Sequence, residues 1–183
     1  MIDDRSIRRP THTPWFVSHK GDRGARALAE RHYTRQTPGA TSWTRSGQNI
    51  VLITGDELAV WCLHRPFPGK AVRMDGRDAW ECTIFRNEGP LLSSMLIRQA
   101  VEVCRMLALG WFDARLVVET WGRPPKDGII TYVDPGKVMT EVPGWCFRRA
   151  GWRRIGVARD GKPLLRAPLS MRPSDEALAW AAS

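Results

Sequence analysis

Hydrophobic positions along this chain fall into two repeating patterns, short β-branched runs and two stretches with helical spacing. Asn49 to Thr54 and Glu57 to His64 are apolar runs of strand length either side of Gly55-Asp56, a pattern that predicts a hairpin. Trp80 to Arg86 predicts a further strand, running into Asn87-Glu88-Gly89-Pro90. Beyond it Leu92, Leu96, Ala100, Val103 and Leu107 recur every three to four residues, predicting a helix over Leu91 to Leu109 with one buried face. Arg115 to Thr120 and Ile129 to Val133 read as strands. Asp134-Pro135 stops the second, because the residue before a proline is pushed out of the helical region and aspartate suits a turn.

Helix signals are clearest at the termini. Asp22 to Arg35 predicts a helix with Asp22 as its cap, placing Ala25, Leu28, Ala29 and His32 on the core side. Gln36 to Ser42 is a turn-rich loop that would close over a site. Trp145 to Ala150 gives a short helix, and Gly151 suits the left-handed residue that ends it before a strand begins at Trp152. The alternation predicts an α/β fold, and 183 residues with 43% apolar content suit a single domain over 1–183. Residues 1–13 read as a flexible N-terminal arm, and 170–183 as a C-terminal tail with a short helix capped by Ser174.

Two places bring chemistry to the ends of these elements. At the start of the long helix, Gly89 permits close backbone approach, and Ser93 and Ser94 set hydroxyls beside amides that have no intrahelical partner, an arrangement that attracts phosphate. At the end of the Ile129 strand, Tyr132-Val133-Asp134-Pro135 puts an acid in a turn, where sites are often built.

The order strand, phosphate-ready helix, strand, acidic turn, short helix, strand resembles the acyltransferases of the GNAT superfamily, over about Trp80 to Leu165. Phe147-Arg148-Arg149-Ala150-Gly151-Trp152 resembles that superfamily's Tyr-x-x-x-Gly-Phe corner, and Ser94-Met95-Leu96-Ile97-Arg98-Gln99-Ala100 its cofactor helix. The resemblance implies a central mixed, twisted sheet with helices on both faces. It also implies acetyl-CoA or another acyl-CoA as cofactor, held beside a splayed pair of strands. Two features depart from the pattern. The phosphate loop has one glycine, Gly89, where the superfamily has two or three, and the tyrosine that often protonates the leaving thiolate is replaced by Phe147, which has no proton to give.

With those departures, Tyr132-Val133-Asp134-Pro135 and the pair His32-Tyr33 make the chain similar to the Mom-type phage proteins, GNAT-like enzymes that modify bases of phage DNA and protect it from restriction. That resemblance implies Asp134, His32, Tyr33 and Tyr132 as catalytic residues and Arg86, Asn87 and Ser94 as cofactor-binding residues, to which the helix start adds Gly89 and Ser93. Asp134 or His32 would take a proton from the attacking nitrogen, and amides near Arg86 and Asn87 would polarise the thioester. The acceptor is open between adenine and an amine on a hypermodified pyrimidine. Double-stranded DNA is the implied partner, with the base flipped out.

Composition bears on that partner. Lys plus Arg number 28 against 19 acidic residues, a net charge of +9 and a pI near 10.1, the balance of a polyanion binder. Arginine dominates, with Arg148 and Arg149 beside the corner as substrate-binding candidates. Among nine tryptophans, Trp61, Trp80 and Trp152 fall in strand-like runs and suit the core, while Trp43 and Trp121 are candidates for stacking on a flipped base. The rival readings are an ordinary N-acetyltransferase acting on a small amine or a protein, and a GNAT-shaped DNA-binding protein without activity.

Nothing in the sequence has the length of a membrane span or the form of a signal peptide, so a cytoplasmic protein with no membrane partner is expected. Four separated cysteines suit buried thiols, and the histidine spacing gives no structural metal site, with a metal held by His32 and Asp134 left open.

Overall fold

The computed structural model describes residues 9–10, 13–35, 37–40, 42–69, 73–108, 124–138, 141–168 and 174–175. The strand expected at Arg115 to Thr120, Trp121, and nearly all of the N-terminal arm and C-terminal tail lie outside the described residues.

The fold is α/β, built on one sheet. Its strands are β1 (Arg9–Pro10), β2 (Trp15–Ser18), β3 (Gln48–Thr54), β4 (Ala59–Arg65), β5 (Trp80–Asn87), β6 (Ile129–Tyr132), β7 (Arg153–Val157) and β8 (Pro163–Arg166). The described helices are α1 (Arg23–Glu30), α2 (Ser93–Ala108) and α3 (Trp145–Arg149). The eight strands lie in the order β1-β2-β3-β4-β5-β6-β8-β7, with every neighbouring pair antiparallel except β5 and β6.

The hairpin expected around Gly55-Asp56 is β3 and β4, with Asp56 accepting from the Thr54 hydroxyl at 2.6 Å. Alternate residues of these strands serve different cores, as the two-residue period of a strand requires. Leu52, Trp61 and Leu63 join Leu96, Ala100, Val103 and Leu107 of α2 in one cluster, and Val51, Ile53, Val60 and Cys62 join Ala25, Leu28 and Ala29 of α1 in another. Trp61, Trp80 and Trp152 are buried as expected. Trp61, Phe85, Phe147 and Trp152 form an edge-to-face group, closest between Phe147 and Trp152 at 4.9 Å, which fixes α3 to the sheet.

Several expectations need correction. Within the segment read as an arm, Arg9–Pro10 pairs with Phe16 and Val17. The strand after it, β2, was not read from the sequence, yet Trp15 is fully buried and its indole N–H donates to the Leu96 carbonyl at 3.0 Å. The capping role of Asp22 holds, with its carboxylate accepting from the Ala25 amide at 2.9 Å and from the Ser18 hydroxyl. The helix it caps ends at Glu30 rather than Arg35, because the His32 ring takes the Thr34 amide and hydroxyl and competes with helix continuation. Helix α2 starts where Leu92 offers its carbonyl to the Met95 and Leu96 amides, so Leu92 itself precedes the buried face and is 72% exposed.

Candidate active site

The sheet parts between β5 and β6, the only parallel neighbours among the described residues. β5 and β6 are in register at Trp80 with Ile129 and at Glu81 with Ile130, and no further. At the next step the Thr131 hydroxyl donates to the Cys82 carbonyl at 2.9 Å, a side chain standing in for the ladder bond that the divergence removes. Beyond it β5 continues to Asn87 while β6 turns out at Val133-Asp134. The gap is a cavity of about 280 Å³. Cys82, Thr83 and Phe85 form its β5 side, Thr131 and Val133 its β6 side, and Trp145, Cys146 and Phe147 its α3 wall.

His32 and Tyr33 close the remaining side, their rings stacked at 4.3 Å. The turn that carries them is clamped to the end of β5. Arg31 pairs with both oxygens of Glu88 at 2.8 and 2.7 Å, and Arg86 donates to Glu88 and to the Arg31 carbonyl at 2.5 Å each. This bidentate pairing holds the Glu88 carboxyl down at about 2, first through the Arg31 hydrogen bond.

The two rings differ in what they can do. The Thr34 amide donates to His32 Nδ1 at 3.3 Å and the Thr34 hydroxyl lies 2.8 Å from it, which makes that nitrogen an acceptor. Burial, helped by the nearby Arg86 charge, lowers the imidazole from 6.5 to about 4, against the opposing pull of the Phe85 carbonyl. His32 is therefore neutral at neutral pH, with its ring engaged by its own turn and by β5. Tyr33 presents a phenol instead. Burial raises its pKa first of all, opposed by a hydrogen bond from the Asp134 backbone amide. The phenol stays protonated near neutral pH.

The sequence-predicted residues thus meet only in part. His32 and Tyr33 line the cavity, and Asp134 reaches it through its main chain. The Asp134 carboxylate accepts from the Gly136 amide at 3.0 Å and lies 4.0 Å from the Lys162 ammonium. Tyr132 points elsewhere: its hydroxyl donates to Asp75 Oδ2 at 2.7 Å, in a network where Arg73 also holds Asp75 and bridges to Glu81 at 2.8 Å. Alternation along β6 explains this, since Thr131 and Val133 face the cavity and the residue between them cannot.

The cofactor-binding candidates form a scaffold at the start of α2. Asn87 donates to the Leu91 carbonyl and the Ser93 hydroxyl at 2.7 and 3.1 Å, and accepts from the Gly89 amide at 3.0 Å. A Cβ at Gly89 would stand 3.1 Å from Leu58 Cβ, so this loop packs closely on the β3–β4 turn. Ser94 lies half-buried in the first turn of α2. The Arg86 guanidinium is committed to Glu88 and Arg31.

Of the stacking candidates, Trp43 is buried in the α1 cluster and donates to the Lys20 carbonyl at 2.6 Å. The aromatic ring at the cavity mouth is Trp145, 53% exposed, with the Arg149 guanidinium 5.9 Å from its centroid. Arg148 and Arg149 are exposed on the same helix. Sequence reasoning set Trp145 beside a loop that could border the site without making it a stacking candidate, and it passed over Cys82, Thr131 and Cys146 as site residues. It also missed Glu81, whose charge inside an otherwise apolar strand marks a buried ion pair. Cys62, Cys82 and Cys104 are buried free thiols, as expected, and Cys146 is half-buried.

Among the described residues no cluster of histidine, cysteine and carboxylate side chains could hold a metal, and no helix is long and apolar enough to cross a membrane. No family model, curated protein or solved structure matches this chain.

Proposed function

We propose that this protein is an acyl-CoA-dependent transferase of GNAT-like fold that modifies a nucleobase in DNA. The observation that carries the reading is the parting of β5 from β6 around a largely apolar cavity lined by the half-buried phenol of Tyr33. Such a gap suits a thin, extended arm ending in a thioester. The reading also takes α1 and α2 to cover opposite faces of the sheet, in line with the two alternating core clusters.

A bound acyl-CoA would supply an activated carbonyl and a thiolate leaving group. Tyr33 is the proton donor that Phe147 cannot be, its phenol oriented by the Asp134 amide and kept protonated by burial. Tyr33 would hold its proton for the leaving thiolate, so that acyl transfer to a nitrogen of the acceptor, with the C–S bond broken as the N–C bond forms, would release a neutral thiol. The proton of the attacking nitrogen would leave to solvent at the cavity mouth and reach the Asp134 carboxylate through water, since that carboxylate accepts from Gly136 and lies 4.0 Å from Lys162, outside the cavity lining. Neutral His32 is a positioning residue, stacking on Tyr33 and holding its turn against β5. The α2 start, organised by Asn87 with Ser93 and Ser94, is where the phosphates would sit. Trp145 and Arg149 at the mouth suit a flat, electron-rich ring, and the excess of positive charge suits DNA.

The test is mass spectrometry of nucleosides from DNA of cells expressing the protein or its Tyr33→Phe variant, beside acetyl-CoA titrations of both proteins. A mass shift on one nucleoside, reduced at least tenfold in the variant while acetyl-CoA still binds, is expected. Unchanged DNA with acetyl-CoA bound would replace this reading by an ordinary N-acetyltransferase, and absence of acetyl-CoA binding would refute the transferase itself.

A further inference from the structure

A second cavity, of about 330 Å³, lies beside the first. It is walled by the loop that follows His32-Tyr33 and by β5, and Thr83 lines both cavities. Its chemistry is the opposite of the first. Hydroxyls of Thr34, Ser42, Thr44 and Thr83 line it with the guanidinium groups of Arg35 and Arg45, and no carboxylate is among its lining residues.

The two arginines are held differently. Arg35 is nearly buried, its side chain 10% exposed, and its amino groups bind the Glu30 carboxylate and the Ser42 and Thr37 carbonyls, which staples the loop to α1. Its Nε–H is buried and has no partner among the described residues, a donor that folding has desolvated without return. Arg45 is 56% exposed and uses one amino group on Glu81 at 2.8 Å, leaving the rest of its fork toward the cavity and solvent. Glu81 is already held by Arg73, so Arg45 is not needed to neutralise it.

We propose that this second cavity is the acceptor subsite, and that it seats a phosphodiester of the DNA strand against the exposed Arg45 guanidinium, with the sugar along the hydroxyl wall. The placement deepens the transferase reading and rests on it. A strand anchored there would bring its base past Thr83 to the thioester end of the first cavity, with Trp145 and Arg149 at the opening. Donor and acceptor then approach the reacting atoms through separate cavities, one apolar and one polar.

The test is fluorescence anisotropy of a labelled DNA duplex against salt concentration, for the wild type, Arg45→Gln, Thr44→Glu and the control Arg159→Gln between β7 and β8, each checked for acetyl-CoA binding. Loss of one phosphate contact predicts roughly 3- to 10-fold weaker binding for Arg45→Gln and a slope of log K against log salt smaller by about 1, with a larger loss for Thr44→Glu and none for Arg159→Gln. DNA binding and modification that persist with unaltered affinity and slope in Arg45→Gln and Thr44→Glu would overturn the subsite and leave the transferase standing. A wild type that binds acetyl-CoA but not DNA would overturn both DNA proposals. Saturable binding of inorganic phosphate, lost in Arg45→Gln without effect on DNA, would reassign the cavity to a free anion.

Discussion

Substituting Gly144 by alanine tests how tightly the α3 wall of the site is built. Gly144 has a φ of 77°, a left-handed conformation in which an L residue costs about 1–2 kcal/mol. A Cβ there would also stand 2.6 Å from Leu165 Cδ1 and 3.3 Å from Val133 Cγ2. Leu165 and Val133 are buried in the main cluster and have no solvent to swing into, so overpacking adds about 1–3 kcal/mol. Gly151 separates the two contributions. Its φ is 91°, but a Cβ would meet nothing nearer than Pro168 Cγ at 3.9 Å, so Gly151→Ala carries only the backbone cost. The unfolded chain loses similar freedom in both variants, and that effect cancels in the comparison. Urea denaturation followed by far-ultraviolet circular dichroism should show Gly144→Ala destabilised by about 2–5 kcal/mol, and by about 1–3 kcal/mol more than Gly151→Ala. Equal losses for the two variants would refute the close contact with Leu165 and Val133, and with it the tight seating of α3.

Two further outcomes follow from the charged groups. Glu81→Gln should cost about 3 kcal/mol in the same assay, because the buried Arg73 and its neighbour Arg45 lose their shared carboxylate; a cost below about 1 kcal/mol would show that Asp75 alone satisfies Arg73. His32 has a folded pKa of about 4 against an ordinary 6.5, so the unfolded chain binds its proton first and stability falls as pH drops from about 6.5 toward 4. Between about pH 7 and pH 5 this amounts to about 2 kcal/mol, and His32→Gln should remove that part of the pH dependence; an unchanged pH slope in the variant would mean the imidazole is not held neutral.

Strand content was legible in the sequence wherever apolar runs were long, as in β3, β4 and β5, and the cap of α1 was legible because Asp22 stands just ahead of the amphipathic run Ala25, Leu28, Ala29. β2 escaped notice because Trp15–Ser18 is a four-residue run whose fit depends on β3 and α2, neither of which is local to it. The end of α1 was misplaced because a contest between a histidine ring and the helix ladder leaves no periodicity. For the site, the family resemblance implied His32, Tyr33, Tyr132 and Asp134 as a group. It did not say that Asp134 would offer its amide, that alternation would turn Tyr132 toward Asp75, or that Trp145 rather than Trp43 would stand at the mouth. Those outcomes depend on where β5 and β6 part, a property of two strands more than forty residues apart.

The position of β8 bears on how the protein comes to be made. β8 lies between β6 and β7, although both precede it in the chain. Until Pro163–Arg166 has left the ribosome, among the described residues β6 has a partner only at its short β5 register and β7 has none, and the Val133 amide lacks the Pro163 carbonyl it donates to. The cavity wall is therefore completed last, by residues that contribute no side chain to it. A nascent chain halted before Pro163 would carry an open strand edge beside an unfinished site, the form most exposed to mispairing and aggregation.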